Sequence, residues 1–199
     1  QPNRGTEGRG TRAFRGPGSW PKMAECHPDI LEHVRHIAAG DDVLLRRGVG
    51  NLWVLDEIHR KNVCFDIRLN VAAGRVESGY LMAAAPGEIV TSPSAGGRIL
   101  EWKEPRRPPG DVTGPAGSFK WDADVWTVIG RAAEAAAACF PECRLAGVDA
   151  RLEWDGERLI PWILDINPRP AGLSHSRYFA TGEPGVTQRL WREIENLRE

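Results

Sequence analysis

The chain has 199 residues, with 26 Lys and Arg against 27 Asp and Glu and a formal net charge of -1. That balance argues against a dedicated nucleic-acid binder, which usually carries a basic excess, and no apolar run approaches the length of a membrane span. With 41% hydrophobic and 27% charged residues and no signal-peptide pattern, the expectation is a soluble, cytoplasmic protein of one domain or two small lobes.

Residues 1–22 hold five basic residues, one acid, and glycines at 5, 8, 10, 16 and 18. Composition alone reads this as a flexible basic tail. Its first half differs, because Gly5 to Gly10 lies between two short segments that could pair as a hairpin. A helix is predicted next: Pro28 suits the first turn, Ile30, Leu31, Val34, Ile37 and Ala38 make one face, and Gly40 ends it. Residues 43–45 and 53–55 then read as strands.

From Val63 the alternation is clean. Phe65, Ile67, Leu69 and Val71 point one way, and Cys64, Asp66, Arg68 and Asn70 the other. A strand face holding an acid, a base and an amide either faces solvent or lines a site. The turn at Ala73-Gly74-Arg75 leads to a partner strand over residues 76–83. The Pro/Gly-rich stretch 104–118 reads as a mobile surface loop.

Asp122 is the predicted cap of the clearest helix, whose apolar stripe is Val125, Trp126, Ile129, Ala133, Ala136 and Ala137, with Pro141 ending it. Strands over 145–154 and 159–166 follow, joined at Asp155-Gly156. A last amphipathic helix carries Leu190, Trp191, Ile194 and Leu197. Hairpins outnumber strand–helix–strand units, so the predicted fold class is α+β. The four cysteines lack the paired spacing of zinc sites and read as free thiols. The five histidines form no metal motif; His33 and His36 suit a solvated helix face.

The sharpest chemical signal is Gly147-Val148-Asp149 followed by Asp165-Ile166-Asn167-Pro168-Arg169. Asp165 and Asn167 share a strand face, and Asp149 is on the adjacent strand. Two carboxylates and an amide oxygen are hard ligands suited to Mg²⁺, with water and phosphate filling the other positions. Arg169 stands where a guanidinium could meet a phosphate. The plainer alternative is that the acids cap loops or pair with arginines.

These residues, continued to Ser174, resemble the C-terminal metal-binding signature of the ATP-grasp superfamily. Asp66-Ile67-Arg68, Gly74-Arg75-Val76 and Gly96-Gly97 resemble the middle of ribosomal-protein glutamate ligases. The segment from Gln1-Pro2-Asn3-Arg4-Gly5 to Gly10-Thr11-Arg12 is similar to the superfamily's glycine-rich lid hairpin. The resemblance implies an ATP-grasp core with a lid lobe and hinge over residues 1–58 and a C-terminal lobe over residues 59–199. It implies ATP and Mg²⁺ as cofactors, with Asp149, Asp165 and Asn167 on the metal and Asn3, Gly5, Gly8 and Gly10 over the ATP phosphates. Residues 54–58 match the hinge, with Asp56 or Glu57 on the ribose. Arg68 and Arg169 match catalytic arginines.

The activity so implied is ATP-dependent ligation of a small-molecule or peptide carboxylate to an amine or thiol through an acyl phosphate. An ATP-grasp kinase acting on a hydroxyl and a non-catalytic nucleotide-binding subunit are the alternatives. The chain also departs from the pattern. Gln1 stands where most relatives have Lys, and the ligases' Arg near Met82 and Asn near Ser92 are absent. The superfamily's N-terminal domain has no counterpart here, so the resemblance leaves three alternatives open: a fragment, a split subunit with a separate N-terminal domain or partner chain, or a natural short form.

The metal reading carries a geometric condition. A tight two-residue turn at Asp155-Gly156 would leave Asp149 and Asp165 on opposite sheet faces. An odd loop or a β-bulge is needed to bring them together.

Overall fold

The computed structural model describes residues 48–100, 108 and 110–168, together with Glu32, Arg192 and Glu195 as single helical positions. The predicted helix after Pro28, the strand at 43–45 and the C-terminal helix around Leu190 therefore lie outside the described residues, those single positions apart. What is described is α+β: an eight-stranded sheet whose paired strands all run antiparallel, and one α-helix.

Strand β1 (Trp53–Asp56) turns back through residues 57–60 onto β2 (Lys61–Ala72), the long central strand. The 58/59 division between the expected lobes falls inside this turn. Ala73 and Gly74, with φ of 51° and 77°, make the next turn. Positive φ at both central residues matches the right-handed twist of a hairpin. It leads to β3 (Arg75–Ala83), which pairs with β2 and with β4 (Arg98–Leu100).

The stretch read as a loop over 104–118 is partly a hairpin. Strands β5 (Val112–Gly114) and β6 (Gly117–Ser118) pair, and β5 also pairs with β1. Val112 is 3% exposed and belongs to the core. Proline and glycine dominate the local pattern, but one apolar β-branched residue and an open β1 edge determine the outcome.

Helix α1 (Ala123–Ala138) is capped by Asp122, whose carboxylate accepts the backbone N–H of Asp124 at 3.1 Å and of Val125 at 3.3 Å. Its buried residues are Val125, Ile129, Ala133 and Ala137. They join Phe65, Ile67, Leu69 and Val71 of β2 in one core cluster. The apolar face of β2 and the stripe of α1 thus bury each other. Strands β7 (Leu145–Trp154) and β8 (Leu159–Asn167) complete the sheet, with β7 pairing on β2. Among the described residues, no helix is long and apolar enough to cross a membrane.

Candidate functional site

The other face of β2 is polar, yet it is not solvated: Asp66 is 6%, Arg68 8% and Asn70 1% exposed. Cross-strand register extends that face into rows running from β3 to β8. One row is Ser78, Asn70, Gly147 and Asn167; the next is Tyr80, Arg68, Asp149 and Asp165. A third places Met82 and Asp66 beside Arg151.

The β7–β8 hairpin meets the geometric condition set by the sequence. Its loop is the four residues 155–158, and Trp154 pairs with Leu159, which keeps the unfavourable parity near the turn. Farther along, Ala150 pairs with Ile163 but Asp149 pairs with Asp165, so Leu164 is an extra residue, a β-bulge. The bulge puts Asp165 directly opposite Asp149, and Asn167 follows one side-chain repeat later on the same face.

The chemistry of this face is dominated by two reciprocal ion pairs. Arg68 grips Asp149 with both ends of its fork: Nε donates to Oδ1, and a terminal nitrogen donates to Oδ2 at 2.7 Å. Arg151 grips Asp66 the same way, at 2.5 Å from Nε and 2.9 Å from the terminal nitrogen, which also donates to the Ile89 carbonyl at 2.9 Å. The Thr91 hydroxyl donates to Asp66 as well. Bidentate, charge-assisted bonds of this kind are the strong class of polar contact.

Burial works against both charges of the Arg68–Asp149 pair. For Arg68 the carboxylate outweighs burial and holds the guanidinium protonated. For Asp149 burial prevails over the Arg68 bond and, with the charges of Asp66 and Asp165 adding to it, lifts the carboxyl above its usual range. Gly147 makes room for this arrangement. A Cβ there would lie 3.1 Å from Arg68 Cδ and 3.1 Å from its other terminal nitrogen, so the guanidinium passes over a residue with no side chain.

Asp165 is exposed and Asn167 half-buried. The Asp165 oxygens accept the Ile166 N–H at 2.9 Å and the Asn167 amide N–H at 3.2 Å. Each oxygen of Asp149 and Asp165 has a lone pair beyond the bond given above, so the set of two carboxylates and one amide oxygen fits a hard cation. Among the described residues no three or more His, Cys, Asp or Glu gather as a metal cluster; the third donor here is an amide.

Asp56 does something different from the expected ribose contact. It is 1% exposed. Its Oδ1 accepts the Ile58 N–H at 2.9 Å and the His59 N–H at 3.3 Å, its Oδ2 meets His59 Nδ1 at 2.7 Å, and Arg98 donates to Oδ1. These bonds shape the β1–β2 turn, while the adjacent Glu57 is exposed. Asn3, Gly5, Gly8, Gly10 and Arg169 lie outside the described residues.

Sequence reading picked out Asp66 and Arg68 on β2 and Asp149 on β7, but missed Arg151, Thr91 and the role of Gly147. One signal was present: Asp66-x-Arg68 and Asp149-x-Arg151 are the same pattern, and two such strands run antiparallel match acid to base twice. No protein-family model matches the chain, and no curated protein matches it.

Proposed function

We propose that the chain is an ATP-grasp ligase joining a carboxylate to an amine or thiol, with residues 1–58 as lid and hinge and residues 59–199 as the C-terminal lobe. One observation carries the reading: the bulge at Leu164 sets Asp165 opposite Asp149, with Asn167 beside them and Arg68 in contact. A hairpin with no function at this face has no need to align two acids whose charges repel.

Asp149, Asp165 and Asn167 would hold Mg²⁺, which when bound neutralises the β- and γ-phosphates of ATP. The substrate carboxylate oxygen attacks the γ-phosphorus, the bond to the ADP oxygen breaks, and an acyl phosphate forms. The amine nitrogen then attacks the acyl carbon, phosphate leaves, and the nitrogen loses a proton. Arg68 would supply a protonated donor to the negative charge that develops, and Arg169 is the second candidate. The lid residues Asn3, Gly5, Gly8 and Gly10 would offer backbone N–H groups to the phosphates. For the ribose, the exposed Glu57 is the candidate of the two, since the oxygens of Asp56 serve the turn.

Hydroxylamine trapping tests the reaction. With Mg²⁺–ATP and a panel of carboxylic acids, the proposal expects hydroxamate and ADP in equal amounts for at least one acid. A second reading, a non-catalytic nucleotide-binding subunit, draws on the mutual neutralisation of Arg68 and Asp149. It expects nucleotide binding without hydroxamate for any acid, including when an N-terminal partner is supplied.

A further inference from the structure

Both oxygens of Asp149 are held by Arg68, yet Asp149 is one of the carboxylates that the metal reading needs. A guanidinium and a divalent cation seek the same negative charge. Binding Mg²⁺ beside an undisturbed Arg68 would set two cations against one part-buried carboxylate that water screens only weakly. The protonated side chain cannot escape that conflict by losing its proton. It can only move or keep the metal out.

The structure also contains a place for Arg68 to go. Asn70 lies one side-chain repeat away on the same face of β2 and is 1% exposed. Its amide nitrogen donates to the Ser78 hydroxyl at 2.9 Å, but its amide oxygen is buried with no hydrogen-bond partner among the described residues. An orphaned buried acceptor is costly and rare in a folded protein. A donor-only guanidinium next to it could satisfy it on leaving Asp149.

We infer that Arg68 is a tethered competitor of the metal: it occupies Asp149 in the resting protein and transfers to the Asn70 amide oxygen when the cation binds. The inference rests on the metal reading above and adds a gating role for two residues. It makes cation affinity low in the free protein. Nucleotide phosphates raise it by supplying further ligands for the metal and negative charge for Arg68.

Mn²⁺ titration of the full chain without nucleotide, followed by the electron paramagnetic resonance of free Mn²⁺, tests this. Arg68→Gln should bind Mn²⁺ about tenfold more tightly than the native chain, roughly the least that a charge-assisted pair is worth. Arg68→Lys, which keeps the charge but loses the fork, should tighten binding less, and it serves if the glutamine variant does not fold. Asn70→Leu, which removes the alternative acceptor, should weaken binding. Equal measurable affinity in the native chain and the Arg68 variants overturns the competition and leaves the metal site standing. No binding in any of them, or tightened binding that survives Asp165→Ala with Asn167→Ala, overturns the metal reading and this inference with it.

Discussion

Arg151 reaches across from β7 to Asp66 on β2 while, one repeat along, Arg68 reaches the opposite way to Asp149. The two strands carry the same acid-x-base order and run antiparallel, so each acid meets the other strand's base. Removing one member leaves a buried charge alone, which costs about 3–5 kcal/mol, whereas replacing both with apolar groups is often neutral. Arg151→Met should therefore destabilise the chain far more than Asp66→Leu with Arg151→Met together. Urea unfolding at neutral pH measures both. A single variant costing less than about 1 kcal/mol, the range of an exposed pair, would show that the network is solvated.

Glycine positions offer a graded series. Gly147→Ala would press a methyl group against the Arg68 side chain, which can yield, so a cost of about 1–3 kcal/mol is expected. Gly79→Ala would place Cβ 2.4 Å from the Arg68 carbonyl oxygen, a backbone atom, and should cost more. Gly130→Ala, inside α1 with nothing within 4 Å, should stabilise by about 0.5–1 kcal/mol. Thermal midpoints should be highest for Gly130→Ala, lower for Gly147→Ala and lowest for Gly79→Ala.

Acid should act on Asp56 and Asp149 in opposite directions. Burial lifts the Asp56 carboxyl, but the His59 side chain, the His59 and Ile58 N–H groups and Arg98 outweigh it and hold it below its usual value. The unfolded chain then binds the proton first as pH falls, so this stability is present above about pH 4 and lost through the lower folded value. Asp149, raised in the fold, contributes stability at acid pH that is lost as pH rises through its folded value. Asp56→Asn should flatten the acid limb of the urea midpoint, and Asp149→Asn should flatten the loss above it. The same slope in both variants would contradict these environments.

Local patterns were legible in the sequence; long-range register was not. Alternation from Val63 separated the two faces of β2, and Asp122 marked the start of α1, because both signals lie within a few residues. The need for a bulge followed from parity alone, but its position at Leu164 did not. Pairing of Arg68 with Asp149 joins residues 81 apart, and nothing local encodes that match. The polar face of β2 was left open between solvent and a site, since burial depends on what the rest of the chain places over it. The loop expected over 104–118 contains β5 and β6 because tertiary pairing with β1 overrides a local excess of proline and glycine.

The most direct measurement is Mg²⁺-dependent binding of ATP by the full chain, by calorimetry, in the native protein and in Asp165→Ala with Asn167→Ala. Asp165 is exposed and Asn167 half-buried, so the double variant should keep the fold, with an unchanged circular dichroism spectrum. The account predicts that the native chain binds Mg²⁺–ATP and that the double variant loses at least about tenfold in affinity, the equivalent of about 1.4 kcal/mol. Equal affinity in the two proteins, or no binding by the native chain, would contradict it.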